Sequence, residues 1–340
     1  MPTEYFSIFT SSKSKIVMKH ISVYVPQCSY IEAVSPAYRL FNTANDFLRA
    51  SGKEPKFHVE FVGLNHDIKA QDGEYTIRIN KLLSEVDKTD LVVIPALCGN
   101  LRESVELDRP AIPWMLEMRE KGSEIASLCL GAFLLGATGL LDGKKCSTHW
   151  AYYEEFKEIY PQIEVVDGTI ITDEGKVYSS GGANSIWNLL IYILEKYTSR
   201  DIAILAAKYF AIDIDRDNQR AFTIFKGQKN HNDDGILAAQ DYIEQNYTEK
   251  LTIVELADIA SVSRRSFERR FKNATNNTIN EYVRRVRVEA AKRSFEISRK
   301  NVTEVMYDVG YTDTKAFRDV FKKVTGLTPI EYRNKYSKDN

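Results

Sequence analysis

The stretch LTIVELADIASVSRRSFERRFKNAT, residues 251–275, reads as two short helices joined by a tight turn. Thr252 can cap the first helix, with Glu255 three residues later to close a capping box. Leu256, Ala257 and Ala260 fall on one face, residues 261–263 form the turn, and Phe267 and Phe271 anchor the second helix. That second helix carries Arg264, Arg265, Arg269, Arg270 and Lys272. A small residue at Ala257 and a tight turn let two helices cross steeply, which is how a basic helix is set into a major groove. The pattern returns 49 residues later in NVTEVMYDVGYTDTKAFRDVFKKVTGLTP, residues 301–329. There Thr303 is expected to start the first helix, Gly310 supplies the turn, and Tyr311, Phe317 and Phe321 hold the second, which carries Lys315, Arg318, Lys322 and Lys323. Between the copies, residues 280–296 predict one long amphipathic helix with Tyr282, Val286, Ala290 and Phe295 turned inward, which would fix the separation of the two units. A run of charge by itself usually marks a solvated helix face. Two matching copies in tandem favour a surface built to meet DNA.

The second copy carries a string that is more specific than a generic helix pair: Gly310 and Tyr311, Phe317, then Phe321, Lys322 and Lys323, Thr325 and Gly326, Thr328 and Pro329, Tyr332 and Arg333. With it, residues 236–336 resemble the AraC/XylS DNA-binding domain. The resemblance implies two helix-turn-helix units reading two adjacent major grooves of double-stranded DNA. It places Arg265, Glu268 and Arg269, with Arg264 beside them, and Thr314, Lys315 and Arg318 at the DNA. Met306 stands where that family usually has a small residue, Ile279 where proline is common, and Asn276 where glycine is usual. Asparagine tolerates the left-handed conformation of a helix C-terminus.

Upstream the pattern changes. From Lys19, apolar β-rich runs at 21–26, 56–64, 90–97 and 124–130 alternate with helix-length segments at 32–50 and 109–121, and runs at 163–166, 169–172 and 176–180 precede an apolar helix at about 185–197. Such alternation indicates an α/β domain around a parallel sheet. The expected organisation is a flexible extension over 1–18, the α/β domain over 19–197, a helix and hydrophilic linker over 198–235, and an all-α domain over 236–340.

Within the α/β part, EIASLCLGAFLLG places Cys129 where an apolar strand meets a helix, followed by Gly131 and Ala132. A sharp strand-to-helix turn needs small neighbours and projects its side chain toward the sheet's carboxyl edge, where α/β folds place pockets. A thiol at a helix N-terminus is expected to shift toward thiolate. Residues 19–197 resemble the ThiJ/PfpI superfamily, related to class I glutamine amidotransferases, which implies a flavodoxin-like α/β sandwich. Its pocket residues map to Glu32 in YIEAVSP, Cys129 at the elbow and His149 in STHW, the glutamate approaching the cysteine and the histidine lying close by. Leu130 stands where PfpI-type proteases have histidine, which counts against a hydrolase of that kind. Cys129 is otherwise a small buried hydrophobe, an oxidisable sensor or a pocket wall, and His149 a structural histidine.

Composition sets the outer bounds. The chain has 340 residues and a net charge of −1, but the charge is segregated. Residues 236–340 hold 20 Lys+Arg against 15 Asp+Glu, a net of +5, while residues 1–235 hold 26 against 32, a net of −6. A basic C-terminal part suits nucleic acid. No apolar run approaches the roughly 18–20 residues of a membrane span, so the expectation is a cytoplasmic protein. Cys28, Cys98, Cys129 and Cys146 lie far apart without partnering histidines, which reads as four reduced thiols, with no disulfide framework, metal site or cofactor implied. The domain order resembles the GlxA group of bacterial transcriptional regulators, which implies a DNA-binding regulator responding to a small-molecule effector or forming a homodimer through the α/β domain. The competing readings are a cysteine-dependent amidase or hydrolase with a DNA-targeting domain, and a DNA-binding scaffold that senses nothing.

Overall fold

The structure, a computed structural model, describes residues 18–70, 73–213, 219–220, 224–225, 227–229 and 231–337. Residues 1–17 of the expected N-terminal extension, and residues 214–218, 221–223, 226 and 230 of the expected linker, lie outside the described residues. The chain divides into two compact units, residues 1–217 and 218–340.

Among its described residues the first unit has eleven strands: β1 (Lys19–Tyr24), β2 (Phe57–Gly63), β3 (Asp67–Ala70), β4 (Tyr75–Arg78), β5 (Lys81–Leu82), β6 (Leu91–Ile94), β7 (Glu124–Leu128), β8 (Lys145–Cys146), β9 (Glu164–Val165), β10 (Ile171–Asp173) and β11 (Val177–Ser180). Seven form one sheet in the order β10-β11-β7-β6-β1-β2-β5, parallel except for the β10–β11 pair. β6 reads LVVI and is buried at every position, as a central parallel strand covered on both faces requires. The chain runs one way from β1 through β2 to β5 and the other way from β6 through β7, so the order reverses between β1 and β6. A reversal of this kind opens a crevice at the carboxyl ends of the strands.

Helix Ile31–Ala50 packs on the sheet with helices Ile186–Tyr197 and Arg200–Tyr209. The last of these extends the first core beyond residue 197, because Ile202, Ala203, Ala206 and Ala207 recur at helical spacing and are buried in it. The hairpin β3–β4 and the short β5 and β8 leave no signal in the sequence pattern, since two- to four-residue polar runs carry no usable period.

Among its described residues the second unit has helices and no strand, with two small cores. Phe267, Phe271 and Tyr282 fill the first, and Phe295, Phe317, Phe321 and Tyr332 fill the second. Each such side chain, fully buried, contributes roughly 1.5–3 kcal/mol by removal of apolar surface from water. The helix Ile279–Ile297 runs through both, supplying Tyr282 and Val286 to the first and Val288, Ala291 and Phe295 to the second. Ala290, expected inside, is only partly buried against the second core.

Candidate nucleic-acid interface and the cysteine elbow

The two helix-turn-helix units are near copies in detail. In the first, Thr252 and Glu255 form the capping box of Ile253–Ile259, Ser261 turns with φ +53, and Arg264–Thr275 follows with Ser263 as cap. In the second, Asn301 and Glu304, rather than Thr303, cap Val302–Asp308. Asparagine's short amide accepts from two backbone N–H groups at 2.9 and 3.0 Å. Gly310 turns with φ +80, and Thr314–Thr325 follows with Asp313 as cap. Asn276 and Gly326 both end their helices in the left-handed conformation, and Thr278 with Glu281 and Thr328 with Glu331 box the next helices. The offset is 49 residues before the turn and 50 after it (Ala257 to Met306, Phe267 to Phe317), so the second turn is one residue longer.

Each second helix buries its phenylalanines and exposes the opposite face. Arg264, Arg265, Arg269, Thr314, Lys315 and Arg318 are exposed, and Glu268 is half-buried. Arg264 pairs with Glu268 at 3.2 Å. Arg265, Arg269, Lys315 and Arg318 form no hydrogen bond or ion pair among the described residues. Two cations of the first helix are otherwise engaged: Arg270 donates to Asp233, and Lys272 donates to the Asn276 carbonyl at 2.8 Å.

Asp233 belongs to the segment expected to be a hydrophilic linker. It is instead stapled to the first helix-turn-helix unit. Phe225 stacks edge-on against Tyr282 with centroids 5.1 Å apart. Its N–H donates to Glu289. Lys229 pairs with Asp241 and Glu244, each at 2.7 Å. Gln240 donates to the Gln228 carbonyl and accepts from His231 Nε2. The segment is polar because its partners are polar side chains, which hydropathy alone does not register.

In the α/β unit, Cys129 sits at the strand-to-helix elbow with φ +53. The turn is tight: a Cβ on Gly131 would collide with the Ile94 carbonyl oxygen and lie 2.6 Å from that of Pro95. The backbone N–H of Cys129 donates to Ser180 Oγ at 3.4 Å, and its carbonyl accepts from Thr148 Oγ1 at 3.1 Å. Burial pushes the Cys129 thiol up to about 12, against the expectation of a thiolate, because loss of water penalises the charge more than the hydrogen bond from the Leu130 backbone favours it. Glu32, in the first turn of Ile31–Ala50, is exposed and forms no hydrogen bond or ion pair among the described residues, so it does not engage the cysteine. His149 caps the turn Trp150–Tyr152, its Nδ1 accepting from the Ala151 N–H at 3.2 Å. Burial lowers its pKa, leaving it the neutral partner of Trp150 and Tyr152. Elbow geometry is therefore present, but among the described residues no base is bonded to the thiol.

The expectation of four reduced thiols is overturned. Cys28 and Cys98 form a disulfide, and Cys129 and Cys146 are free and buried. The register explains the pairing: β1 and β6 pair in parallel with Ile21 opposite Leu91, an offset of 70 residues, and the two cysteines are also 70 apart. Each follows its strand by the same number of residues, so parallel pairing brings them level at the crevice. The loop before Cys28 is pinned by the buried Asp108, which accepts from Tyr24 OH at 2.5 Å and from the Gln27 N–H at 3.0 Å. Burial raises Asp108 to about 6 although both hydrogen bonds oppose the shift. Among the described residues, no group of three or more His, Cys, Asp and Glu is arranged to hold a metal, and no helix is long and apolar enough to cross a membrane.

A model of the DJ-1/PfpI family matches residues 21–196, about half of the chain. The chain belongs to the DJ-1/PfpI family. A helix-turn-helix domain model matches residues 256–335, so this DJ-1/PfpI member joins its α/β domain to an AraC-type helix-turn-helix domain. It is similar to the HTH-type transcriptional regulator ArgR of Pseudomonas aeruginosa, 25% identical over 219 residues that make up 64% of this chain and 66% of the relative. The HTH-type transcriptional regulator GlxA of Rhizobium meliloti is 24% identical over 217 residues, 63% of this chain and 66% of that one. The matches thus span just under two thirds of these relatives' own length. The crystal structure of a protein described as a transcriptional regulator from Vibrio parahaemolyticus superposes with a TM-score of 0.51 at 22% identity, over 56% of this chain and 98% of that one, a likeness of fold.

Proposed function

We propose that this chain is a sequence-specific transcriptional regulator that binds double-stranded DNA through two adjacent major grooves. The observation that carries the reading is the repeated exposed face: Arg265 and Arg269 on one recognition helix, Lys315 and Arg318 on the other, each without a hydrogen bond or ion pair among the described residues and each helix backed by two buried phenylalanines. Arginine meets guanine with two parallel hydrogen bonds, and Arg264, Glu268 and Thr314 border the same faces. Regulators among its relatives support the reading. The experiment is to capture genomic fragments with the purified protein, sequence them, and titrate the recovered site against salt. Recovery of one shared motif, with affinity falling steeply as salt rises, is the expected result. Fragments without a common motif, or a flat salt response, would sink it.

The α/β unit, in this proposal, is a non-catalytic sensor. A small molecule bound near Cys129 and His149 would act by favouring one of two arrangements of the protein, which requires unequal affinity for them. The raised thiol and the capping role of His149 support a sensor over a cysteine hydrolase. Amide turnover that disappears in Cys129→Ser would instead establish the enzyme. We extend the proposal to a cytoplasmic homodimer formed through the α/β unit, which sedimentation velocity checks against the 38.9 kDa chain.

A further inference from the structure

The helix Ile279–Ile297 joins the two helix-turn-helix units, but a single helix with a core at each end can bend or twist between them. One side chain on it bonds to both. Arg287 donates from Nε to the Tyr247 carbonyl at 2.7 Å and from Nη2 to the Glu249 carbonyl at 2.9 Å. From Nη1 it donates to the Gly310 carbonyl at 3.0 Å. Tyr247 and Glu249 lie just beyond the helix Asp234–Asn246, within the first unit, whereas Gly310 is the turn of the second. The guanidinium also lies over the Tyr311 ring, 5.3 Å from its centroid.

The backbones it bridges are themselves in contact. A Cβ at Gly310 would collide with the Thr248 carbonyl oxygen and lie 3.1 Å from its Cα, so only glycine allows the second turn to seat there. Tyr247 packs against both apolar cores. Three carbonyls from two units therefore converge on one planar group whose donors are set at fixed angles. A lysine ammonium has the charge but not that fork.

We propose that Arg287 is a positioning residue that sets which spacing of DNA half-sites the two recognition helices accept. The proposal rests on the DNA-binding reading above, and its physical logic is rotational. B-DNA turns once in about 10–10.5 base pairs, so one inserted base pair swings the second half-site by roughly 35° around the axis. A locked pair of reading heads cannot follow that swing, whereas a pair hinged on a lone helix can.

Two arms test it on the full chain. In the first, the recovered site is compared with variants carrying one base pair more or less between the half-sites. Wild type and Arg293→Ala, an exposed position on the same helix, are expected to lose at least tenfold in affinity, and Arg287→Ala and Arg287→Lys less than about threefold. The lysine variant keeps the charge and the stem, so it carries the test if alanine prevents folding. Unchanged discrimination in a folded Arg287 variant, or a wild type indifferent to spacing, overturns the proposal. The second arm needs no DNA: spin labels on Asn273→Cys and Lys323→Cys, both exposed and unlike the buried Cys129 and Cys146, report the distance between units. A narrow distribution that broadens in Arg287→Lys is expected, and one equally narrow in both proteins rejects the clamp. If wild type recovers no motif, the DNA reading fails while this second arm still decides the clamp.

Discussion

The cysteine elbow and the paired recognition helices both look reactive when read as strings of residues, yet they place their reactive groups in opposite settings. At the elbow the thiol is buried and protonated, and the nearby histidine is spent on capping a turn. On the recognition helices, by contrast, Arg265, Arg269, Lys315 and Arg318 face solvent and form no hydrogen bond or ion pair among the described residues. The difference teaches that residue type nominates a site but the state of its polar atoms decides what it can do. A buried, satisfied group is already committed to the fold, and an exposed unpartnered one is available to a ligand.

The largest expected effect comes from breaking the elbow. Gly131→Ala pushes a methyl group into two carbonyl oxygens of the strand β6 and its exit, so the α/β unit should lose more than about 4 kcal/mol. Scanning calorimetry should show its transition shifted or lost while that of residues 218–340 is kept. Equal shifts in both transitions would erase the contrast. Next in size is Asp108. Its carboxyl is raised from 3.8 to about 6, so the protonated form is favoured in the fold, and its contribution is complete below about pH 4 and lost as pH rises through 6. Stability of wild type relative to Asp108→Asn should therefore fall by up to about 3 kcal/mol between pH 4 and 7. Denaturant titrations at the two pH values read the difference, and a gap independent of pH would show that Asp108 does not carry the shift.

The contrast is sharpened on the DNA side by Arg269→Ala and Arg318→Ala, each expected to weaken specific binding by about 1–3 kcal/mol and to relax base preference at one position. A loss uniform across all sequences would mean that the residue touches only phosphate. The smallest effect belongs to Cys129→Ser, which should alter DNA affinity by less than about 0.5 kcal/mol. A thiol-directed probe at pH 8 should leave native Cys129 largely unmodified, and rapid labelling would mean that the elbow is open and ionised.

How far these features could be read in advance depended on the range of the interactions behind them. The helix-turn-helix pair was legible because its determinants are local: the Thr252–Glu255 box, phenylalanines four residues apart, and a left-handed Asn276 all act within a turn or two. Even there Asn301 and Thr303 compete as the cap, and Glu304, three residues on from Asn301, is the signal that decides for Asn301. The α/β architecture was legible from alternation, and only its short strands escaped. What could not be read were settings made by distant chain. The protonation of Cys129 depends on burial under β11 and its neighbours, and the bonds of Phe225, Gln228 and Lys229 depend on helices that follow them. The Cys28–Cys98 bridge becomes visible only when the 70-residue register of β1 against β6 is known.

The stapling of Phe225, Lys229, His231 and Asp233 onto the first helix-turn-helix unit has a practical corollary for anyone cutting the chain. A fragment begun at residue 236, where helical periodicity starts, would strip Phe225 from Tyr282, leaving Phe271 as its ring contact, and would leave Arg270 without the Asp233 carboxylate. Expression boundaries for a free-standing reading module should accordingly fall upstream of residue 224, with the polar stretch retained as part of the module rather than trimmed as a tether.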